Sequence, residues 1–136
     1  MPARSKIKAA AARAQPLIAV ADVEASSRWY QQLLACDSGH GGAEYERLLS
    51  GGALILQLHA WDVEDHDHVH MGRPELKSRG NGVLLWFEVD DFDSSVARAR
   101  ALRAEILEEP HDNPNAGHRE CWLRDPDGYV VVLAGR

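Results

Sequence analysis

The chain lacks any cysteine motif: Cys36 and Cys121 stand 85 positions apart and form neither a CxxC pair nor any other metal-ligand spacing. That argues against a zinc knuckle or a vicinal redox couple, and for two reduced, buried thiols. Long apolar runs are also missing. The longest, such as YVVVLAG at 129–135, fall well short of the roughly 20 residues that span a bilayer. No secretory signal is legible either, because MPARSKIKAAAARA at the start is basic but has no apolar core followed by a cleavage site. A soluble, cytoplasmic protein with no membrane partner is expected. Beyond that start acidic residues outnumber basic ones, 21 to 11. All four charged residues before Asp22 are basic (Arg4, Lys6, Lys8, Arg13), so the rest carries −10 against −6 for the whole chain. Such a body is a poor match for nucleic-acid phosphates. No nucleophile motif, phosphate loop or dinucleotide fingerprint is present.

What the chain does have is 136 residues with 45% hydrophobic content, enough for one domain with a true core and too little for two. It also has one conspicuous stretch, HAWDVEDHDHVH at 59–70, which gathers four of the seven histidines. Imidazole and carboxylate together are the usual ligands for zinc-like ions. Whether they act together depends on which of them a rigid scaffold holds.

An internal repeat supplies that scaffold. Shifting the chain by 69 lays VADVEASSRWYQQLLA (20–35) over VDDFDSSVARARALRA (89–104), with identities at Val20/Val89, Asp22/Asp91, Ser26/Ser95, Leu33/Leu102 and Ala35/Ala104. Both copies follow one grammar: an apolar strand, an aspartate placed to cap, and a helical period. In the first, PLIAVA leads to Asp22, and Val23, Trp29, Tyr30, Leu33 and Leu34 form the inward stripe. In the second, GVLLWFEV leads to Asp91, with Phe92, Val96, Ala99 and Leu102 or Arg103 following. Strands come next: AEYERLLS, a turn at Gly51 and Gly52, and ALILQLHAW in the first half; AEILEE, HRECWLR, the DPDG turn at 125–128, and YVVVLA in the second. Two β-α-β-β-β modules result, 15–61 and 82–134, within a single domain of 15–134. A basic tail or helix precedes them at 1–14, and a connector loop at 62–81 joins them.

In these segments the chain resembles the vicinal oxygen chelate superfamily, which includes glyoxalase I, extradiol dioxygenases and bleomycin resistance proteins. The carriers are PLIAVADVEASSRWYQQLL, FEVDDFDSSVARARAL and HRECWLRDPDGYVVVL, in that order and spacing. The resemblance implies an α+β fold in which two modules form a curved mixed sheet around a pocket, and it implies a homodimer. In metal-dependent members four strands each offer one ligand. Those positions fall here at Gln15, Gln57, Leu84 and Val132, where histidines and glutamates are usual. Leucine and valine have no lone pair to donate, and two amides do not replace imidazole and carboxylate around a dication. The branch implied is therefore the metal-free, bleomycin resistance-like one, with no cofactor.

Strand alternation predicts what lines the pocket. The face of Gln57 adds Ile55, His59 and Trp61; that of Leu84 adds Trp86 and Glu88; that of Val132 adds Val130 and Ala134; that of Gln15 adds Leu17 and Ala19. Leu54, Leu56, Leu58, Leu85, Phe87 and Val89 should pack on helices. Ligand-binding candidates are thus Gln57, His59, Trp61, Leu84, Trp86, Glu88 and Val132, with no metal ligand and no catalytic residue assigned. Apolar walls with two tryptophans and a few polar groups suit a small molecule, and the tryptophans could stack on a planar one while Glu88 pairs with a cationic one. His66, His68 and His70 belong to the connector, and His111 and His118 bracket HDNPNAGH, read as another loop. Glu120 and Trp122 share one face of their strand, Arg119 and Cys121 the other, and the sequence does not say which looks inward.

Three functions fit these features. The first is a metal-free protein that sequesters a planar or cationic ligand. The second is a metal-dependent lyase or dioxygenase that recruits His59, Glu88 or the histidine loop off pattern. The third is an interaction module that uses the basic tail.

Overall fold

The computed structural model describes residues 13–61, 74, 75, 80, 82–115 and 117–136. The histidines at 66, 68 and 70, most of the 62–81 connector and nearly all of the basic tail therefore lie outside the described residues. The first module runs β1 (Leu17–Val20), α1 (Val23–Leu34), β2 (Asp37–Ser38), β3 (Tyr45–Ser50) and β4 (Ala53–Ala60). The second runs β5 (Leu85–Glu88), α2 (Phe92–Ala101), β6 (Glu105–Asn113), β7 (His118–Arg124) and β8 (Val130–Gly135). The paired β-α-β-β-β modules are as expected. Hydrogen bonding resolves them into two four-stranded mixed sheets, ordered β1-β4-β3-β2 and β5-β8-β7-β6.

The repeat is physical as well as textual. Asp22 accepts a hydrogen bond from the Ala25 amide at 2.9 Å, and Asp91 accepts one from the Ser94 amide at 3.0 Å. Each carboxylate caps a helix N-terminus whose first amides otherwise lack partners. In both sheets the first strand pairs parallel with the last, Leu17 opposite Gln57 and Trp86 opposite Val132.

The inward helix stripes contain residues that apolar periodicity misses. In α1, Val23, Ser26, Ser27, Tyr30 and Leu33 are buried; in α2, Phe92, Ser95, Val96 and Ala99 are. Trp29, Leu34 and Leu102 pack against the core from half-buried positions. The buried serines are satisfied: Ser27 donates to Glu46 at 2.7 Å, Ser26 to Asp127 at 3.3 Å, and Ser95 to the Asp91 carbonyl at 3.0 Å. On the strands, Leu56, Leu58 and Leu85 reach the core as expected, and Phe87 and Val89 pack on its margin, whereas Leu54 does not join it. Roughly 1.5–3 kcal/mol accompanies burial of each large side chain such as Leu33 or Leu58. Cys36 and Cys121 are buried and free of disulfides, and burial pushes both thiols up, Cys36 to about 11.

Both helices share one core with the inner faces of both sheets. Polar contacts tie the halves together around it. Tyr30 of α1 donates to the buried Asp125 of the DPDG turn at 2.7 Å, Asp127 accepts the Ala21 amide at 2.9 Å, and Arg98 of α2 donates to the Leu33 carbonyl at 2.9 Å. Each sheet turns its other face away from this core, and between the two modules Pro16, Leu54 and Ile55 line one cavity of about 700 Å³ together with Leu84, Trp86 and Glu88.

Two local features depart from expectation. The two-residue β2 was not read from the sequence, since Asp37 and Ser38 carry no apolar pattern. Residues 111–113, expected in a loop, continue β6 opposite Glu120, Arg119 and His118, which leaves Pro114, Asn115 and Gly117 between the paired strands. Pro110 is tolerated there because β6 is an edge strand and two register shifts interrupt its ladder.

Candidate functional site

The outward face of the first sheet is set by register. Leu17, Gln57 and Arg47 align across it, as do Ala19, His59 and Tyr45. Tyr45 donates its hydroxyl to the Gln57 carbonyl oxygen, and the Gln57 amide nitrogen donates to the Gln15 carbonyl at 2.9 Å. Both ends of the Gln57 side chain are thus engaged within its own module. His59 contacts the Ala60 carbonyl through Nδ1 at 2.6 Å, and its ring lies 6.2 Å from that of Tyr45. Trp61 follows β4 in a half-buried position.

The outward face of the second sheet is of a different kind. Trp86, Val132 and Trp122 align across it, and Glu88, Ala134 and Glu120 form the next row. This settles the orientation of β7: Glu120 and Trp122 face outward, whereas Cys121 and Leu123 are buried in the core. Arg119 also turns to the helix side, its guanidinium 4.5 Å from the Phe92 ring centroid. The Trp86 and Trp122 rings meet edge to face at 6.4 Å, and Val132, fully buried, lies between their strands as the floor. Trp86 keeps 44% of its surface exposed, Leu84 beside it likewise 44%, and Glu88 is exposed.

Behind this pair lies a carboxylate with almost no solvent contact. Glu120 is 3% exposed. One of its oxygens accepts the Trp122 indole N–H at 2.9 Å; the other accepts the Asn113 amide at 2.7 Å and meets His118 Nε2 at 2.9 Å. Burial works to raise this carboxyl, but the bonds from Trp122, Asn113 and His118 prevail and hold it below its ordinary value. The His118 ring lies 5.9 Å from Trp86. His111, by contrast, is exposed and bonds only its own strand, with Nδ1 2.9 Å from the Glu109 carbonyl and Nε2 3.5 Å from Glu108.

The candidates named from sequence therefore divide. Gln57 and His59 belong to the first outward face, while Leu84, Trp86, Glu88 and Val132 belong to the second. No described contact joins the two sets. Sequence reasoning assigned no role to Glu120, Trp122, Asn113 and His118. The signal that could have found them is the H-x-E-x-W spacing of 118–122, which places three side chains on one face of a strand.

The four positions where metal-dependent relatives place ligands do not suit a dication. Leu84 and Val132 have no donor atom, the Gln57 oxygen is taken by Tyr45, and Gln57 stands in a different sheet from Val132.

The chain matches the family model described as Glyoxalase/Bleomycin resistance protein/Dioxygenase superfamily over residues 12–133. Among solved structures, it superposes with TioX from Micromonospora sp. ML1 at a TM-score of 0.68 and 18% identity, covering 92% of this chain and 96% of that one. Lactoylglutathione lyase from Agrobacterium tumefaciens gives 0.66 at 19% identity over 94% and 96%. The fosfomycin resistance protein FosX from Listeria monocytogenes gives 0.68 at 13% identity over 93% and 94%. These likenesses establish the fold. A curated relative, "Putative glyoxylase CFP32" of Mycobacterium tuberculosis (strain CDC 1551), is 33% identical over 60 residues, which is 44% of this chain and 23% of the relative. The match thus spans under a quarter of that protein's length.

Proposed function

The chain belongs to the glyoxalase/bleomycin resistance protein/dioxygenase superfamily, and within it we propose a metal-free protein that binds a planar aromatic small molecule on the Trp86–Trp122 face. The observation that carries this reading is the partly exposed indole pair standing on a buried valine floor and braced from behind by Glu120. A locked indole offers a large flat contact area without much rotamer entropy to lose, which favours stacking on a planar ligand. Glu88, in the row beside Trp86, adds attraction for a ligand carrying positive charge.

The same geometry supports a homodimer. Leu17 on one outward face and Leu84 and Trp86 on the other are 41%, 44% and 44% exposed, apolar groups that a partner copy would cover. A two-fold axis lets each copy lay its Gln57–His59 face over the tryptophan face of its partner, burying both faces twice and closing two pockets. Gln57, His59 and Trp61 then act as the roof of a site whose floor is Leu84, Trp86, Glu88 and Val132.

Two measurements test the proposal. Sedimentation should give a dimer, and a planar aromatic probe such as 2-naphthol should bind one per chain, with affinity lost in Trp86→Ala. One equivalent of bound metal per chain, released on replacing Gln15 and Gln57 together with alanine, would overturn the metal-free reading.

A further inference from the structure

The Glu120 carboxylate fixes more than the Trp122 indole. An ionised carboxylate only accepts hydrogen bonds, so the nitrogen that meets it at 2.9 Å, His118 Nε2, must carry the proton. In a neutral imidazole this leaves Nδ1 as a lone-pair acceptor, and Nδ1 has no hydrogen-bond partner among the described residues. His118 is three-quarters buried, its ring 5.9 Å from Trp86. On its other flank it borders an open depression of about 410 Å³ shared with Asp112, Asn113, Pro114, Gly117, Arg119 and Arg136, which neither tryptophan lines. The acceptor is held firmly: Asn113 pins the same Glu120 oxygen at 2.7 Å from across the β6–β7 hairpin, and the Trp122 N–H pins the other. An aromatic platform with one rigid acceptor at its rim discriminates between flat molecules by what they carry at one edge.

From this geometry we infer that His118 selects the ligand class: a planar aromatic bearing an in-plane O–H or N–H donor, such as a phenol or an aromatic amine, which donates to Nδ1 while its ring lies against Trp86. Glu120 is the positioning residue that sets the imidazole tautomer, and Asn113 holds Glu120. This inference rests on the tryptophan face being the binding surface.

Equilibrium dialysis at pH 8 with a matched probe pair, 2-naphthol and 2-methoxynaphthalene, separates the two ideas. The rings are the same; only the first can donate. The wild-type protein should bind 2-naphthol about five- to tenfold more tightly, the effect of one well-placed hydrogen bond. His118→Phe should still bind 2-methoxynaphthalene but lose the preference, and Glu120→Gln should weaken it. Equal binding of both probes by the wild type overturns the role of His118 and leaves the platform standing, as does a preference that survives in a folded His118→Phe. Failure of both probes to bind overturns the platform and the inference with it.

Discussion

Each module buries one glutamate on its third strand, and the two are used in opposite ways. Glu46 on β3 points to the helix side. Burial alone would raise its carboxyl, but hydroxyls of Ser38 and Ser27 at 2.7 Å and backbone amides of His40, Gly41 and Arg47 at 2.9–3.0 Å bring it down to about 2. Glu120 on β7 points outward and is held by an indole, an amide and an imidazole. The first gathers donors from α1 and from the segment around its own strand; the second gathers side chains of the proposed platform. The same strand position, read one residue out of phase, thus makes a structural anchor in one module and a brace for the proposed binding surface in the other.

The largest effect should come from breaking the structural anchor. Glu46→Ala leaves five donors without their acceptor and is expected to lower stability by about 2–4 kcal/mol, read by chemical denaturation, while the folded fraction binds 2-naphthol as before. A loss of affinity without loss of stability would reverse the roles assigned to the two glutamates.

The anchor should also show in acid. The Glu46 carboxyl is held below its ordinary value in the folded protein, so its stabilisation is complete above about pH 4.5 and drains away as pH falls towards 2. Glu46→Gln should unfold less steeply between pH 4.5 and 2 than the wild type does. An identical acid limb in the two proteins would contradict the shift.

Trp86→Ala sharpens the contrast from the other side. Because Trp86 keeps 44% of its surface exposed, stability should fall by only about 1–2 kcal/mol, less than for Glu46→Ala, while affinity for a planar probe falls at least tenfold. Leu17 is the register equivalent of Trp86 in the first module, opposite Gln57 as Trp86 is opposite Val132. Leu17→Ala should cost less affinity than Trp86→Ala. The smallest effect expected is that of Tyr45→Phe, which removes only the hydroxyl bonded to Gln57. Stability should drop by about 0.5–1.5 kcal/mol, with probe preference unchanged.

The fold was legible because its signals are local and repeated: the capping aspartates, the helical stripes and the turns at Gly51–Gly52 and Asp125–Gly128 need only neighbouring residues. Strand alternation also placed Gln57, His59, Trp86 and Glu88 on outward faces. What it did not show is that those faces belong to two separate sheets, held together by a single core through contacts such as Tyr30 to Asp125 that link residues 95 positions apart. Glu120 was hidden for a related reason. Its partners Asn113 and His118 come together only once β6 extends to Asn113, and a sequence with Pro110, Asn113, Pro114 and Asn115 reads as loop.

Fluorine labels on the tryptophans report directly on whether the second module supplies the binding platform. Incorporating 5-fluorotryptophan gives four ¹⁹F resonances, from Trp29, Trp61, Trp86 and Trp122, assignable by single Trp→Phe variants. On titration with 2-naphthol, Trp86 and Trp122 should shift most, Trp61 less, as part of a roof, and core-packed Trp29 least. Shifts confined to Trp61, or spread evenly over all four, would contradict a platform on the second module.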